Sequence, residues 1–242
     1  MKQQKKIHRI YINSEFKSNN ILCTSDLSHR IRNILRMKND EKLSVFNNIG
    51  EYEAYLSIEG KKVSINLTKE LPRVRCQNRV CIAVSVINMK LMDMIIQKSV
   101  ELGATDFYPV YTKRSQYKNV DKKVDHWNKI IISATEQCGR FMMMKIHEPL
   151  NLEAFINQHD NKACYLLNPK GDKFSSNDFY QNDITVFIGP EGGFEDNELI
   201  SFKQNNWKTR SINGNILRTE TACISVLTLI ENYDSISRHS LQ

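Results

Sequence analysis

The sequence has no stretch approaching the roughly 18 apolar residues that a membrane span needs. Its best apolar run, Val80 to Ile87, is short and interrupted by Ser85, which suits a buried strand. The amino-terminal residues MKQQKKIHRIYIN are basic but lack the apolar core of a secretion signal, so a cytoplasmic location and no membrane partner are expected. None of the six cysteines, Cys23, Cys76, Cys81, Cys138, Cys164 and Cys223, forms a C-x-x-C pair or joins a histidine at metal-ligand spacing. No metal and no disulfide framework are therefore expected, and the thiols read as reduced, several as small buried hydrophobes. Neither G-x-G-x-x-G nor G-x-x-x-x-G-K-[ST] occurs, which argues against a Rossmann dehydrogenase and a P-loop NTPase. Internal repeats and low-complexity tracts are absent as well.

What is present is ordinary globular material: 242 residues, 40% hydrophobic and 25% charged, enough to bury a core without staples. The net charge of +7 is unevenly placed. Residues 1–42 hold ten Lys and Arg against four Asp and Glu, a local +6 that leaves +1 for the other 200 residues. A localised positive field suits a polyanion, because neutralising each phosphate releases a condensed counterion. The same charge on a solvated face would only aid solubility, so charge alone does not decide between the two.

The patterning changes near Leu71-Pro72-Arg73. Before it, strand-like runs over Ile7–Ile12, Lys42–Phe46, Glu51–Ile58 and Lys62–Leu67 are separated by turn residues, with one short helix expected over Asp26–Arg36. This predicts a small β-barrel-like module over residues 1–72. After it, strands and helices alternate, the signature of an α/β layer over 73–242. Strands are expected at Val80–Ile87, Phe107–Tyr111, Ala163–Leu167 and Thr185–Ile188. Helices are expected at Leu91–Leu102, Trp127–Gln137, Asp196–Gln204 and Thr219–Tyr233, with Gly103 placed to cap the first of them.

Ligands in open α/β sheets sit at the carboxyl ends of strands. That rule selects the loops Asn168–Asp172 and Gly189–Phe194, together with the turn Gly214–Thr221 that enters the last helix. In Gly189-Pro190-Glu191-Gly192-Gly193-Phe194, adjacent glycines let the backbone approach a ligand, and the following helix adds positive potential at its N-terminus. In Ile216-Leu217-Arg218-Thr219-Glu220-Thr221-Ala222, Thr219 suits an N-cap and Glu220 the first turn of the helix. Arg218, beside an apolar pair at the mouth of the layer, can bind a carboxylate, a phosphate or a base edge. Arg140, at the end of Ala134-Thr135-Glu136-Gln137-Cys138-Gly139-Arg140, suits a helix terminus or an RNA contact.

Taken together, these segments resemble the RsmE family of SPOUT-class RNA methyltransferases. The likeness runs nearly end to end, through His29–Arg36 (HRIRNILR), Gln97–Pro109 (QKSVELGATDFYP), ATEQCGR, IGPEGGF and ILRTETA. GPEGGF and ILRTETA, about 25 residues apart, are specific in combination. The resemblance implies an N-terminal PUA-like RNA-binding barrel, a C-terminal trefoil-knotted α/β domain and a homodimer. It implies methylation of uridine N3 in 16S rRNA of the small ribosomal subunit, with S-adenosyl-L-methionine held by Leu167-Asn168-Pro169, by Ile188, Gly189, Pro190, Glu191, Gly192 and Gly193, and by Leu217, Arg218, Thr219 and Ala222. Candidate RNA contacts are Arg9, His29, Arg30, Arg32, Arg36, Lys38 and Arg140. Arg218 is expected to stabilise charge on the uracil, and Glu191 or Glu220 to accept the N3 proton. Two other readings stay open: a ribose 2′-OH methyltransferase of the same fold, and a non-catalytic rRNA-binding assembly protein. The sequence departs from the family at Glu195, where Ser or Thr is usual, and in the methionine-rich stretch Arg140–Pro149.

Overall fold

The computed structural model describes residues 7–72, 78–159, 163–179, 181, 183–212 and 214–239. Lys2, Lys5 and Lys6 of the basic amino terminus, Arg73 of the expected boundary, and Cys76 lie outside the described residues. The chain divides into two compact units, Met1–Arg75 with Thr135–Met142, and Cys76–Ala134 with Met143–Gln242. The division expected after residue 72 thus differs by three residues from the one found. The segment from Thr135 to Met142 groups with the first unit, which a cut in sequence order does not anticipate.

The first unit contains β1 (His8–Tyr11), β2 (Asn20–Leu22), α1 (Ser25–His29), β3 (Lys42–Phe46), β4 (Glu51–Glu59) and β5 (Lys62–Glu70). They form a five-stranded sheet in the order β1-β3-β4-β5-β2, parallel between β1 and β3 and antiparallel elsewhere. In β5, Val63, Ile65 and Leu67 alternate inward to meet Leu43, Val45, Leu56 and Ile31, as a period of two requires on a sheet with one buried face. Thr24 caps α1 by accepting the Leu27 N–H at 3.3 Å. The single helix expected over Asp26–Arg36 is α1 followed by a π-helical turn, Arg30–Ile34, and it ends where Arg36 takes a left-handed φ of 53°. The strand β2 was not expected; three residues are too few to show an alternation.

The second unit contains β6 (Arg79–Ser85), α2 (Met89–Glu101), β7 (Asp106–Tyr111), α3 (Val124–Cys138), β8 (Lys145–Ile146), β9 (Leu150–Asn151), α4 (Leu152–Asn157), β10 (Cys164–Lys173), β11 (Asp183–Ile188), α5 (Asp196–Gln204), β12 (Lys208–Ser211) and α6 (Thr219–His239). The last residues of α3, from Thr135, group with the first unit. The sheet runs β12-β10-β11-β6-β7-β8 with β9 beside β7, and every pairing is parallel. Both faces are covered. Ile82, Val84, Phe107, Tyr165 and Val186 pack toward α2, α3 and α6, whereas Cys81, Ala83, Tyr108, Leu166 and Phe187 pack toward α4 and α5. Two buried faces explain why these strands read as continuous apolar runs. The N-cap of α2 is Asn88, whose side chain accepts the Lys90 N–H at 2.9 Å, and Gly103 follows its end with φ 89°.

The described cysteines, Cys23, Cys81, Cys138, Cys164 and Cys223, are not joined in disulfides. Burial pushes the Cys23 thiol up to about 11 and the Cys223 thiol up to about 12, which keeps both uncharged. No group of metal-ligating side chains occurs among the described residues, and no described helix is long and apolar enough to cross a membrane.

Candidate functional site

Beside a bulge in the middle of β10 and at the carboxyl end of β11, a cavity of about 310 Å³ opens in the second unit. Three segments wall it. Leu167, Asn168, Pro169 and Lys170 come from a bulge in β10; Ile188 ends β11, and Gly189, Pro190, Glu191, Gly193 and Phe194 follow it; Asn215, Ile216, Leu217, Thr219 and Ala222 enter α6. Leu199, Ser211 and Ile212 complete it. Thus eleven of the thirteen expected cofactor positions line one space, while Gly192 and Arg218 do not. Leu199, Ser211 and Ile212 were missed. Ser211 ends the polar strand Lys-Thr-Arg-Ser of β12, which has no apolar alternation to reveal it.

Each segment is held in place by identifiable contacts. The Gly193 N–H donates to the Pro190 carbonyl at 2.9 Å, closing a tight turn, and Gly193 adopts φ 71°, a conformation that L side chains rarely take. At Gly189 the requirement is space rather than dihedral freedom, since an added Cβ would sit 2.6 Å from the Phe194 ring. In the β10 bulge the Asn168 side chain accepts the Lys170 N–H at 2.9 Å. An added Cβ on Gly171 would lie 2.8 Å from the β12 backbone, so the two strands approach closely there.

Thr219 behaves differently from the expected N-cap. It is the first residue of α6, and the Arg218 carbonyl accepts the Ala222 N–H at 2.8 Å, which places Arg218 at the cap position. The Thr219 hydroxyl instead donates to the Gly189 carbonyl at 2.9 Å, and the residue is buried. It therefore ties the entrance of α6 to the loop after β11, two walls of the same cavity.

A buried ion pair fixes β12 from below. Arg210 forks onto Asp178 with two bonds of 3.0 Å, and Ser175 adds its N–H at 2.8 Å and its hydroxyl at 3.0 Å. Burial pushes the Asp178 carboxyl up, but the Arg210 fork and the Ser175 donors outweigh it and hold the group down at about 2. The paired carboxylate keeps Arg210, and with it Ser211 and Ile212, in register with the cavity.

The expected catalytic residues differ in placement. Glu191 is exposed and lines the cavity; Glu220, on the first turn of α6, is half-buried and does not; Arg218 is exposed beside it. The side chain of none of the three makes a hydrogen bond or ion pair with another described residue. At Glu195 the missing hydroxyl cap is compensated, because Glu198 accepts the Glu195 N–H at 3.0 Å.

The expected RNA contacts sort into two groups in the first unit. Arg9 bonds Glu51 twice at 2.9 Å, donates to the carbonyls of Thr135 at 2.9 Å and Arg140 at 3.2 Å, and lies 4.2 Å above the Phe46 ring. Arg30 forks onto Glu136, which also accepts the Tyr11 N–H at 3.0 Å, and Arg32 donates to the Gly60 carbonyl. These three arginines have structural partners. His29, Arg36 and Lys38 are exposed, and their side chains have no partner among the described residues. Arg140 is half-buried.

A family model described as an RNA methyltransferase domain matches residues 75–231, more than half of the chain. The ribosomal RNA small subunit methyltransferase E of Rickettsia conorii is 30% identical over 236 residues, covering 93% of this chain and 95% of that protein. A methyltransferase from Legionella pneumophila, solved in complex with the cofactor SAM, superimposes with a TM-score of 0.87 at 28% identity and covers 94% of this chain and 98% of its own. A Neisseria gonorrhoeae ribosomal RNA small subunit methyltransferase E shares the fold, with a TM-score of 0.86 at 22% identity over 94% of this chain and 98% of that one. The α/β architecture with its parallel sheet and the sequence match agree, and the chain belongs to the RsmE family of ribosomal RNA small subunit methyltransferases.

Proposed function

We propose that the protein transfers a methyl group from S-adenosyl-L-methionine to N3 of a uridine in 16S rRNA of the small ribosomal subunit. The observation that carries this reading is the meeting of the β10 bulge, the GPEGGF turn and the ILRTETA segment around one cavity, in a chain of this family. Its volume lies at the lower end of the range for small-molecule sites, about 300–1,000 Å³. Its composition suits the cofactor: Leu167, Ile188, Ile212 and Leu217 offer apolar surface to a base, and the glycine turn offers backbone N–H and C=O groups. The relatives' names and the bound SAM of the Legionella protein support the same assignment.

When bound, S-adenosyl-L-methionine supplies a sulfonium methyl that is already electrophilic, so the chain's own task is alignment and proton removal. Uracil N3 holds a proton at neutral pH and attacks poorly until it is lost. Arg218, unpaired at the head of α6, binds a uracil oxygen and stabilises the negative charge that develops there. Glu191 accepts the N3 proton; it lines the cavity, whereas Glu220 does not. Thr219 holds the two walls at a fixed separation. The target uridine is unpaired or flipped out of its helix, since a base edge in a duplex is out of reach. We assign to the protein the wider features of the family: a trefoil-knotted path through the cavity loops, a PUA-like barrel in the first unit, a homodimer and a cytoplasmic location.

Calorimetric titration with S-adenosyl-L-methionine, paired with methyl transfer by Arg218→Ala, tests this. The variant is expected to keep the wild-type melting temperature and to lose transfer by about 10²–10³-fold. Absence of cofactor binding by the wild-type protein would overturn the reading, and equal loss of folding and transfer in the variant would remove Arg218 from the chemistry.

A further inference from the structure

The loop Thr112–Lys123 joins β7 to α3 and ends in a 3-10 turn over Asp121–Lys123. It carries five cations, Lys113, Arg114, Lys118, Lys122 and Lys123, against one carboxylate, Asp121. That local +4 is hidden in the +1 carried by all residues from 43 onward, because the rest of that stretch is net negative. All five cations are exposed, and Tyr117 beside them is 40% exposed. No lysine side chain of the loop has an ion-pair partner among the described residues.

Two contacts register this loop to the GPEGGF turn and to the start of α5. Arg114 donates to the Gly192 carbonyl at 2.5 Å, and its Cδ lies 3.4 Å from where a Gly192 Cβ would stand. The buried Glu198 accepts the Lys113 N–H at 2.9 Å with one carboxylate oxygen and the Glu195 N–H at 3.0 Å with the other. The beginning of the loop is thereby bonded both to the GPEGGF turn and to the start of α5, which follows that turn.

From this geometry we infer that Thr112–Lys123 is a second RNA-binding element, carried by the same unit as the cavity. Lys118, Lys122 and Lys123 neutralise backbone phosphates beside the target nucleotide, and Tyr117 offers a face on which an unpaired base stacks. Arg114 and Glu198 are positioning residues that fix the loop relative to the turn holding the cofactor. The inference rests on the function proposed above and adds where the nucleic acid lies.

The test compares wild type with K118Q/K122Q/K123Q and K118R/K122R/K123R, using a 16S rRNA fragment and a series of salt concentrations. Removing three phosphate contacts is expected to weaken RNA binding and to lower the slope of log affinity against log salt by about two to three. The arginine variant is expected to keep both affinity and slope, and all three proteins to bind S-adenosyl-L-methionine equally. An unchanged slope in the glutamine variant, or equal losses in the arginine variant, would overturn the inference. Failure of the wild-type protein to bind the RNA or the cofactor at all would instead refute the proposed function.

Discussion

In the first unit Arg9 is held by the Glu51 carboxylate and two backbone carbonyls, and Arg30 forks onto Glu136, whereas in the second unit Lys118, Lys122 and Lys123 are exposed and make no ion pair among the described residues. Counted along the sequence, the first region is the basic one and the second is nearly neutral. In space part of the first unit's charge is taken up, since an arginine that holds two segments together has few donors left for a phosphate, while Arg36 and Lys38 stay exposed. Net charge locates a field. Which cations can meet a ligand depends on their partners, and those partners are far away in sequence: Arg9 and Thr135 are 126 residues apart.

The contrast can be broken most sharply at Arg9. Its side chain is 14% exposed and that of Glu51 is 16% exposed. Arg9→Ala removes two charge-assisted bonds to a largely buried carboxylate and two bonds to backbone carbonyls, so a loss of about 3 kcal/mol in unfolding free energy is expected, read by chemical denaturation. A loss below about 0.5 kcal/mol would return Arg9 to the group of RNA contacts. Next in size is Gly189→Ala. The new methyl meets the Phe194 ring, and strain of about 1–3 kcal/mol is expected, together with weaker cofactor binding in a calorimetric titration.

A pH titration shows that the second unit, too, holds a paired arginine. Asp178 is held down at about 2 by Arg210 and Ser175, so its contribution to stability is complete above the unfolded-state value of about 4 and is lost as pH falls toward about 2. Asp178→Asn should flatten the dependence of melting temperature on pH across that window and leave it unchanged above about pH 5. A wild-type profile that stays flat from pH 5 to 2 would contradict the pairing. The smallest effect is expected for K118Q/K122Q/K123Q, whose stability should stay within about 0.5 kcal/mol of wild type because these side chains have no partner to lose.

Much of the architecture was legible where a periodic pattern ran long enough. Lys42–Phe46 and Asp196–Gln204 have the boundaries expected of them, and Val80–Ile87 and Leu91–Leu102 were displaced by two residues or fewer at each end. The elements that went unread are short or polar: β2, β8, β9, α4 and β12 span two to six residues each. Such segments are specified by their neighbours, as β12 is by the close approach of Gly171 and the Arg210–Asp178 pair.

The cavity was legible for a different reason. Glycines at 189 and 193 are demanded by a ring contact and by a positive φ, and those demands leave a mark in the sequence. Thr219 was read in the wrong role because a hydroxyl near a helix start suits an N-cap, and only the fold shows Gly189 within its reach. The loop Thr112–Lys123 was passed over because its charge was averaged away over 200 residues.

The most direct measurement is transfer of labelled methyl from S-adenosyl-L-methionine to small ribosomal subunits from cells lacking this protein, with the modified nucleoside identified by mass spectrometry. N3-methyluridine in 16S rRNA is the predicted product. Label on a ribose 2′-oxygen, or cofactor binding without transfer to these subunits, would contradict it.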